Sequence, residues 1–187
     1  ERITIFAIKK AKEKGIKVSF DLNYRKNLWS AEKARRVFDK CLLYADILIS
    51  NAEQAKILFP DSVNVNNNLL NENKYIDMAE KLKKKFNLEY VVFTARKSYN
   101  VFDTSFSAFI YDGKSFEYSK EYMLKVADGI GGGDAFAAGL IYCLKKGMDL
   151  QTTVNFASAA AMLKHTIEGD FSCSTLEEVQ NAVSCDI

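Results

Sequence analysis

One proline, one histidine and one tryptophan in 187 residues remove several kinds of protein at once. With only Pro60 and nine glycines, the chain is neither collagen-like nor proline-rich and disordered. A Cys/His metal site has too few ligands: the sole histidine is His165, and Cys41, Cys143, Cys173 and Cys185 form no C-x-x-C pair. The cysteines read instead as reduced, mostly structural thiols. Charge of one sign is missing as well. With 26 Lys+Arg against 24 Asp+Glu, the net charge of +2 gives no nucleic-acid footprint. The basic runs, Lys83 to Lys85 and Lys9-Lys10 with Lys12 and Lys14, fall on expected helical faces and read as solvated. No apolar stretch approaches the length of a bilayer span, and the start lacks an export pattern. The expectation is a cytoplasmic chain with neither nucleic-acid nor membrane partner.

What is present suits one globular domain over 1–187, since 48% hydrophobic residues can build a sizeable core. A helix is expected from the start to near Gly15, which is placed as a C-terminal cap. Residues 17–21 alternate like a half-buried strand. Ser30 is positioned to cap a helix over 31–44. Residues 46–50 read as a buried parallel strand, and Asn51 can cap a helix over 52–59. The asparagine-rich stretch 60–73 reads as a surface loop. A helix over 74–86 and a strand over 89–94 follow. Asp112-Gly113, inside an aromatic and hydroxyl-rich stretch over 100–118, predicts a hairpin ribbon. Helical patterns cover 134–146, 150–164 and 176–183. The alternation predicts an α/β layered sheet with its ligand at the strands' carboxyl ends.

The sharpest feature is Asp128-Gly129-Ile130-Gly131-Gly132-Gly133-Asp134-Ala135-Phe136, a glycine run opening directly into an alanine-rich helix. Consecutive glycines remove side chains that would block close approach, so the amides of Gly131, Gly132 and Gly133 can face an anion at a positive helix end. The run is neither a P-loop nor a Rossmann fingerprint. A passive phosphate binder would gain nothing from Asp134, because a carboxylate repels phosphate. A phosphotransferase would: it needs both stabilised negative charge and a base for the acceptor hydroxyl. The alternative on the pattern alone is a tight turn with Asp134 as a helix cap.

These residues resemble the second signature of the ribokinase-like (PfkB) sugar kinases: Asp-x-x-Gly-Ala/Gly-Gly-Asp, then Ala-Phe and small residues. Within that family the chain is most similar to the 2-keto-3-deoxygluconate kinases. Three segments carry that likeness: Phe20-Asp21-Leu22-Asn23-Tyr24-Arg25 with Leu28-Trp29, the triple glycine before Asp134, and Leu163-Lys164-His165-Thr166-Ile167 followed by Gly169-Asp170-Phe171. The resemblance implies a three-layer α/β/α sandwich, with a mostly parallel sheet and a small antiparallel ribbon. It implies ATP and Mg²⁺ as cofactors and a small sugar acid as partner; a homo-oligomer is compatible with it. Asp134 would be the catalytic base and the Gly131–Gly133 amides the anion hole. Arg25 and Asp170 would hold the sugar acid, a guanidinium fork suiting carboxylate or phosphate alike. Asn23, Arg25, Thr94, Arg96 and Asn155 would border the nucleotide, with Thr94 and Arg96 in a strand-end loop. Lys164 and His165 read as cations finishing a helix.

The chain departs from the family in two places. Asn51-Ala52-Glu53-Gln54 carries glutamine where the family often has glutamate, leaving Glu53 as the candidate metal residue. Gly129 stands where the keto-deoxy acid branch commonly has arginine. The family's lid and early sugar-contacting strands have no counterpart here, so the chain resembles the carboxyl-terminal part of a longer enzyme. Alone, it is expected to have little or no kinase activity. A fructokinase or other ketose kinase, and a non-catalytic nucleotide-binding remnant, are the alternatives.

Overall fold

The computed structural model describes residues 1–59, 72–100 and 103–184. It divides into two compact units: Glu1–Phe93 with Tyr111–Phe116, and Thr94–Ile110 with Glu117–Ile187. Each is described by itself.

The first unit begins with α1 (Arg2–Glu13), which stops where Gly15 takes a φ of 69°, as expected of a glycine past a helix end. Strand β1 (Ser19–Asp21) follows, then α2 (Ala31–Leu42). Ser30 does cap α2: its hydroxyl accepts the Lys33 amide at 3.3 Å. The apolar face of α2 buries Ala34, Val37, Phe38, Cys41 and Leu42. Phe38 meets Phe20 and Trp29 edge-on at 6.2 and 5.4 Å between ring centres, a favoured aromatic geometry.

Strand β2 (Ile47–Asn51) runs parallel to β1, with Ser19 opposite Ile47 and Asp21 opposite Ile49. The Asn51 side-chain oxygen Oδ1 accepts the Gln54 amide at 2.9 Å, the capping expected from the sequence. However, α3 spans only Ala52–Ala55, shorter than the helix expected to Phe59. Helix α4 (Glu72–Phe86) starts two residues ahead of expectation; the rest of the expected loop, 60–71, lies outside the described residues. Strand β3 (Tyr90–Ser98) is next to β2 and buries Val91, Val92 and Phe93. Just ahead of β2, Asp46 accepts from Lys12 Nζ at 2.6 Å and from the Val18 amide at 2.8 Å.

Strand β3 continues past Thr94 to Ser98, beyond the expected end. In the second unit it neighbours β4 (Asp103–Tyr111), and the Tyr99 amide donates to the Asp103 carbonyl at 2.9 Å. The Asp112-Gly113 turn leads from β4 to β5 (Phe116–Tyr118) as the sequence predicts: Asp112 accepts from the Lys114 and Ser115 amides, and Gly113 has a φ of 99°. An unexpected strand, β6 (Tyr122–Lys125), pairs antiparallel with β4, Phe106 opposite Tyr122. The chain is thus α/β with a mixed sheet.

Helices α5 (Gly132–Lys146), α6 (Leu150–His165) and α7 (Leu176–Ser184) complete the second unit. Helix α5 lies against α6 at Gly139, where a β-carbon would come to 3.0 Å from Ala157 Cα. Small residues at this contact let the two backbones approach. Asp149 caps α6, accepting from the Thr152 amide at 2.9 Å.

Candidate functional site

The three glycines ahead of Asp134 exist for different reasons. Gly131 precedes α5 with a φ of 78°, the left-handed region that glycine enters at no steric cost. A β-carbon there would also run into the Asp170 carbonyl and stand 3.1 Å from Lys164 Cε. Gly132 is buried, and a β-carbon on it would fall within the His165 ring's contact distance, 2.8 Å from Nε2. Gly133 is exposed, and a β-carbon there would meet nothing within 4 Å among the described residues. Packing and backbone conformation therefore account for Gly131 and Gly132. Nothing in the fold requires Gly133.

The first bonded amide of α5 is that of Ala135, which donates to the Gly131 carbonyl at 2.9 Å. The amides of Gly132, Gly133 and Asp134 lie ahead of it and find no acceptor among the described residues. This adds the Asp134 N–H to the amides expected from the sequence. They open from a 15-residue helix whose dipole favours negative charge at this end.

Asp134 itself is exposed and makes no hydrogen bond or ion pair among the described residues. A carboxylate in its position, third in the helix, would reach back to the preceding backbone if it served as a cap. It does not, so helix capping does not explain it.

Asp128 has the structural role instead. Its Oδ1 accepts the Ile130 amide at 2.9 Å and its Oδ2 the Gly169 amide at 3.0 Å, which ties the glycine loop to the 167–170 turn. These two backbone donors hold its carboxyl below the ordinary carboxylate range. The Ala127 and Asp128 amides both donate to the His165 carbonyl, at 2.9 and 3.3 Å.

Lys164 and His165 finish α6, as expected, and both are buried there, at 0% and 3% exposed. Lys164 Nζ donates to the Ile167 carbonyl at 2.9 Å. His165 faces the Ala161 carbonyl with Nδ1 at 2.6 Å, which fixes the ring proton on Nδ1 because a carbonyl can only accept. Burial lowers the pKa of His165, against the opposing bond to Ala161, so the ring is neutral at physiological pH. The only sequence signal for this burial was that both residues sit in a segment shared with the resembled branch.

Thr94 and Arg96 are in β3, not in a loop. The hairpin partner β4 extends the strand over them. Arg96 is exposed, and its Nη1 would be 3.3 Å from a β-carbon at Gly129. The space that a side chain at 129 would enter is thus faced by a guanidinium from β3. Asn155, on α6, uses its side-chain oxygen to accept the Lys120 amide at 3.0 Å, so it fastens the segment ahead of β6. Asp170 is exposed, and its backbone carbonyl packs on Gly131.

In the first unit, Asn23 and Arg25 follow β1. Asn23 has a φ of 40°, and its amide donates to Asp21 Oδ1 at 2.9 Å, a local turn that asparagine tolerates well. Arg25 is exposed, and its Nη1 donates to the Tyr24 carbonyl at 3.3 Å. The segment is braced by the Tyr24 hydroxyl donating to the Trp29 carbonyl at 3.1 Å. Glu53 is exposed in α3. Among the described residues no group of three or more His, Cys, Asp or Glu could hold a metal ion. None of their helices is long and apolar enough to cross a membrane.

Residues 3–176 match the model of the pfkB family carbohydrate kinases. The chain belongs to that family. It is similar to the crystal structure of a 2-dehydro-3-deoxygluconokinase from Thermotoga maritima, with 37% identity and a TM-score of 0.89, covering 96% of this chain and 53% of that one. Among curated proteins it is 27% identical over 173 residues to a 2-dehydro-3-deoxygalactonokinase of Haloferax volcanii, covering 92% of this chain and 49% of the relative. It is 25% identical over 170 residues to a 5-dehydro-2-deoxygluconokinase of Clostridium tetani, covering 90% and 45%. The chain spans about half the length of these relatives.

Proposed function

We propose that this chain is the catalytic and nucleotide-binding portion of an ATP-dependent carbohydrate kinase. The acceptor is a sugar acid, 2-keto-3-deoxygluconate, phosphorylated at its terminal hydroxyl. The observation that carries the reading is the pairing, at the start of α5, of the solvent-open Asp134 carboxylate with backbone amides that find no acceptor among the described residues.

Asp134 takes the proton of the acceptor hydroxyl, and the resulting oxygen attacks the γ-phosphorus of ATP. The bond to the bridging oxygen breaks and ADP leaves. Negative charge developing on the transferred group is met by the amides of residues 131–134 and by the positive end of α5. Arg96 supplies a cation beside Gly129, where the keto-deoxy acid branch places arginine on the loop itself. Arg25 and Asp170 bind the acceptor, the Arg25 guanidinium donating to the carboxylate of the sugar acid. Asn23, Thr94 and Asn155 border the nucleotide. Glu53 is the one acid proposed for Mg²⁺. As is usual for this ion, Mg²⁺ would be held chiefly by the phosphates of ATP.

The names of the relatives support the acceptor class: two of the three act on a dehydro-deoxy-gluconate and the third on the galactonate counterpart. The test is an acceptor panel with ATP, at the length of those relatives, using 2-keto-3-deoxygluconate, fructose and ribose. A preference for the sugar acid is expected. Preference for a neutral sugar would reject the roles of Arg25 and Asp170.

A further inference from the structure

A buried lysine needs a reason. Lys164 has no exposed surface, and taking an ammonium out of water is costly unless partners or a nearby anion compensate. A methionine would fill the same volume without that cost. Volume therefore does not explain the charge.

Its surroundings do. Lys164 Nζ donates to the Ile167 carbonyl at 2.9 Å, while Cε packs against Gly131, 3.1 Å from the place of a β-carbon. The Asp170 carbonyl is packed against the same glycine. Asp128, whose two oxygens clasp Ile130 and Gly169, also feels the Lys164 charge. The next residue, His165, packs against Gly132. Two consecutive residues at the end of α6 thus set two consecutive glycines at the start of α5.

We propose that Lys164 is a positioning residue for the phosphate site: its buried ammonium fixes the 128–133 loop against the 167–170 turn and puts a positive charge behind the amides of Gly132, Gly133 and Asp134. This rests on the phosphotransfer reading above. Lys164 does not touch the reacting atoms. It holds the amides that do.

The experiment is an ATP titration of the ¹⁵N-labelled protein at the length of the relatives, observed at the amides of residues 132–134 and at the Lys164 ammonium nitrogen. Both sets of signals are expected to move with one midpoint. Lys164→Met should weaken ATP binding about tenfold, in keeping with loss of a charge-assisted contact, and Lys164→Arg should recover part of it. If the amides move while the ammonium does not, and Lys164→Met binds ATP like the wild type, the proposal is overturned. If ATP moves neither set, the phosphotransfer reading fails and the role of Lys164 in it falls too. Should Lys164→Met not fold, the ammonium signal of the wild-type chain decides the matter.

Discussion

The imidazole of His165 stands where a side chain on Gly132 would begin. A β-carbon at Gly132 would lie 2.8 Å from Nε2 and 2.9 Å from Nδ1, and the ring cannot easily yield because Nδ1 is bonded to the Ala161 carbonyl at 2.6 Å. The glycine and the histidine are two halves of one fit between α5 and α6. The neighbouring Gly133 has no such partner within 4 Å among the described residues.

That contrast separates stability from function. Gly132→Ala should destabilise the chain by about 1–3 kcal/mol, the usual cost of overpacking a filled site. Gly133→Ala should leave stability unchanged or raise it by up to about 1 kcal/mol, since alanine is the better helix former. It should nonetheless weaken ATP binding, because the only thing its methyl can obstruct lies outside the fold. Urea denaturation and ATP titration of both variants check this. Equal losses of stability would contradict it.

Asp46 gives a pH-dependent prediction. Burial pushes its carboxyl up, but the Lys12 ammonium, the Val18 amide and the charge of Lys17 outweigh that and leave it below the ordinary carboxylate range. A group with a depressed folded pKa stabilises above its unfolded value, about 4, and loses that contribution as pH falls through the lower folded value. Asp46→Ala should therefore cost about 2 kcal/mol at pH 7, as expected for charge-assisted hydrogen bonds, and progressively less below about pH 4. Urea midpoints at pH 7 and pH 3 measure it. A difference that stays constant between the two would show that the ionised carboxylate is not what matters.

The cysteines divide by burial. Cys41 and Cys143 are buried and Cys173 is exposed. Burial raises both buried thiols, Cys143 to about 11, which suppresses the reactive thiolate. Iodoacetamide at pH 8, followed by peptide mapping, should label Cys173 in the native chain and reach Cys41 and Cys143 only after unfolding. Rapid native labelling of Cys143 would mean that the α5 core opens readily.

Much of the fold was legible because its signals are local. Ser30 caps α2 through its own hydroxyl, Gly15 takes the left-handed conformation past α1, and Asp112 closes its turn with two amide bonds. Features set by distant partners were not legible. Strand β6 is four residues long and exists through pairing with β4, so Tyr122–Lys125 carries too little pattern of its own. The polar Thr94–Ser98 stretch looks like a loop until β4 extends β3 over it. At the site, the glycine run and Asp134 stood out because few folds need such a run. Lys164 did not, since a lysine ending a helix ordinarily lies in water, and only the packing of Gly131 reveals that this one is enclosed.

The central claim is that Asp134 is the base of a phosphoryl transfer from ATP to a sugar acid. The direct measurement follows γ-phosphate transfer to 2-keto-3-deoxygluconate by the wild type and by Asp134→Asn, at the length of the relatives, with ATP affinity determined in parallel. Transfer should fall by about 10²–10⁴-fold or more while ATP affinity changes little, as expected on losing a general base from an intact site. Turnover by Asp134→Asn equal to that of the wild type would contradict the account.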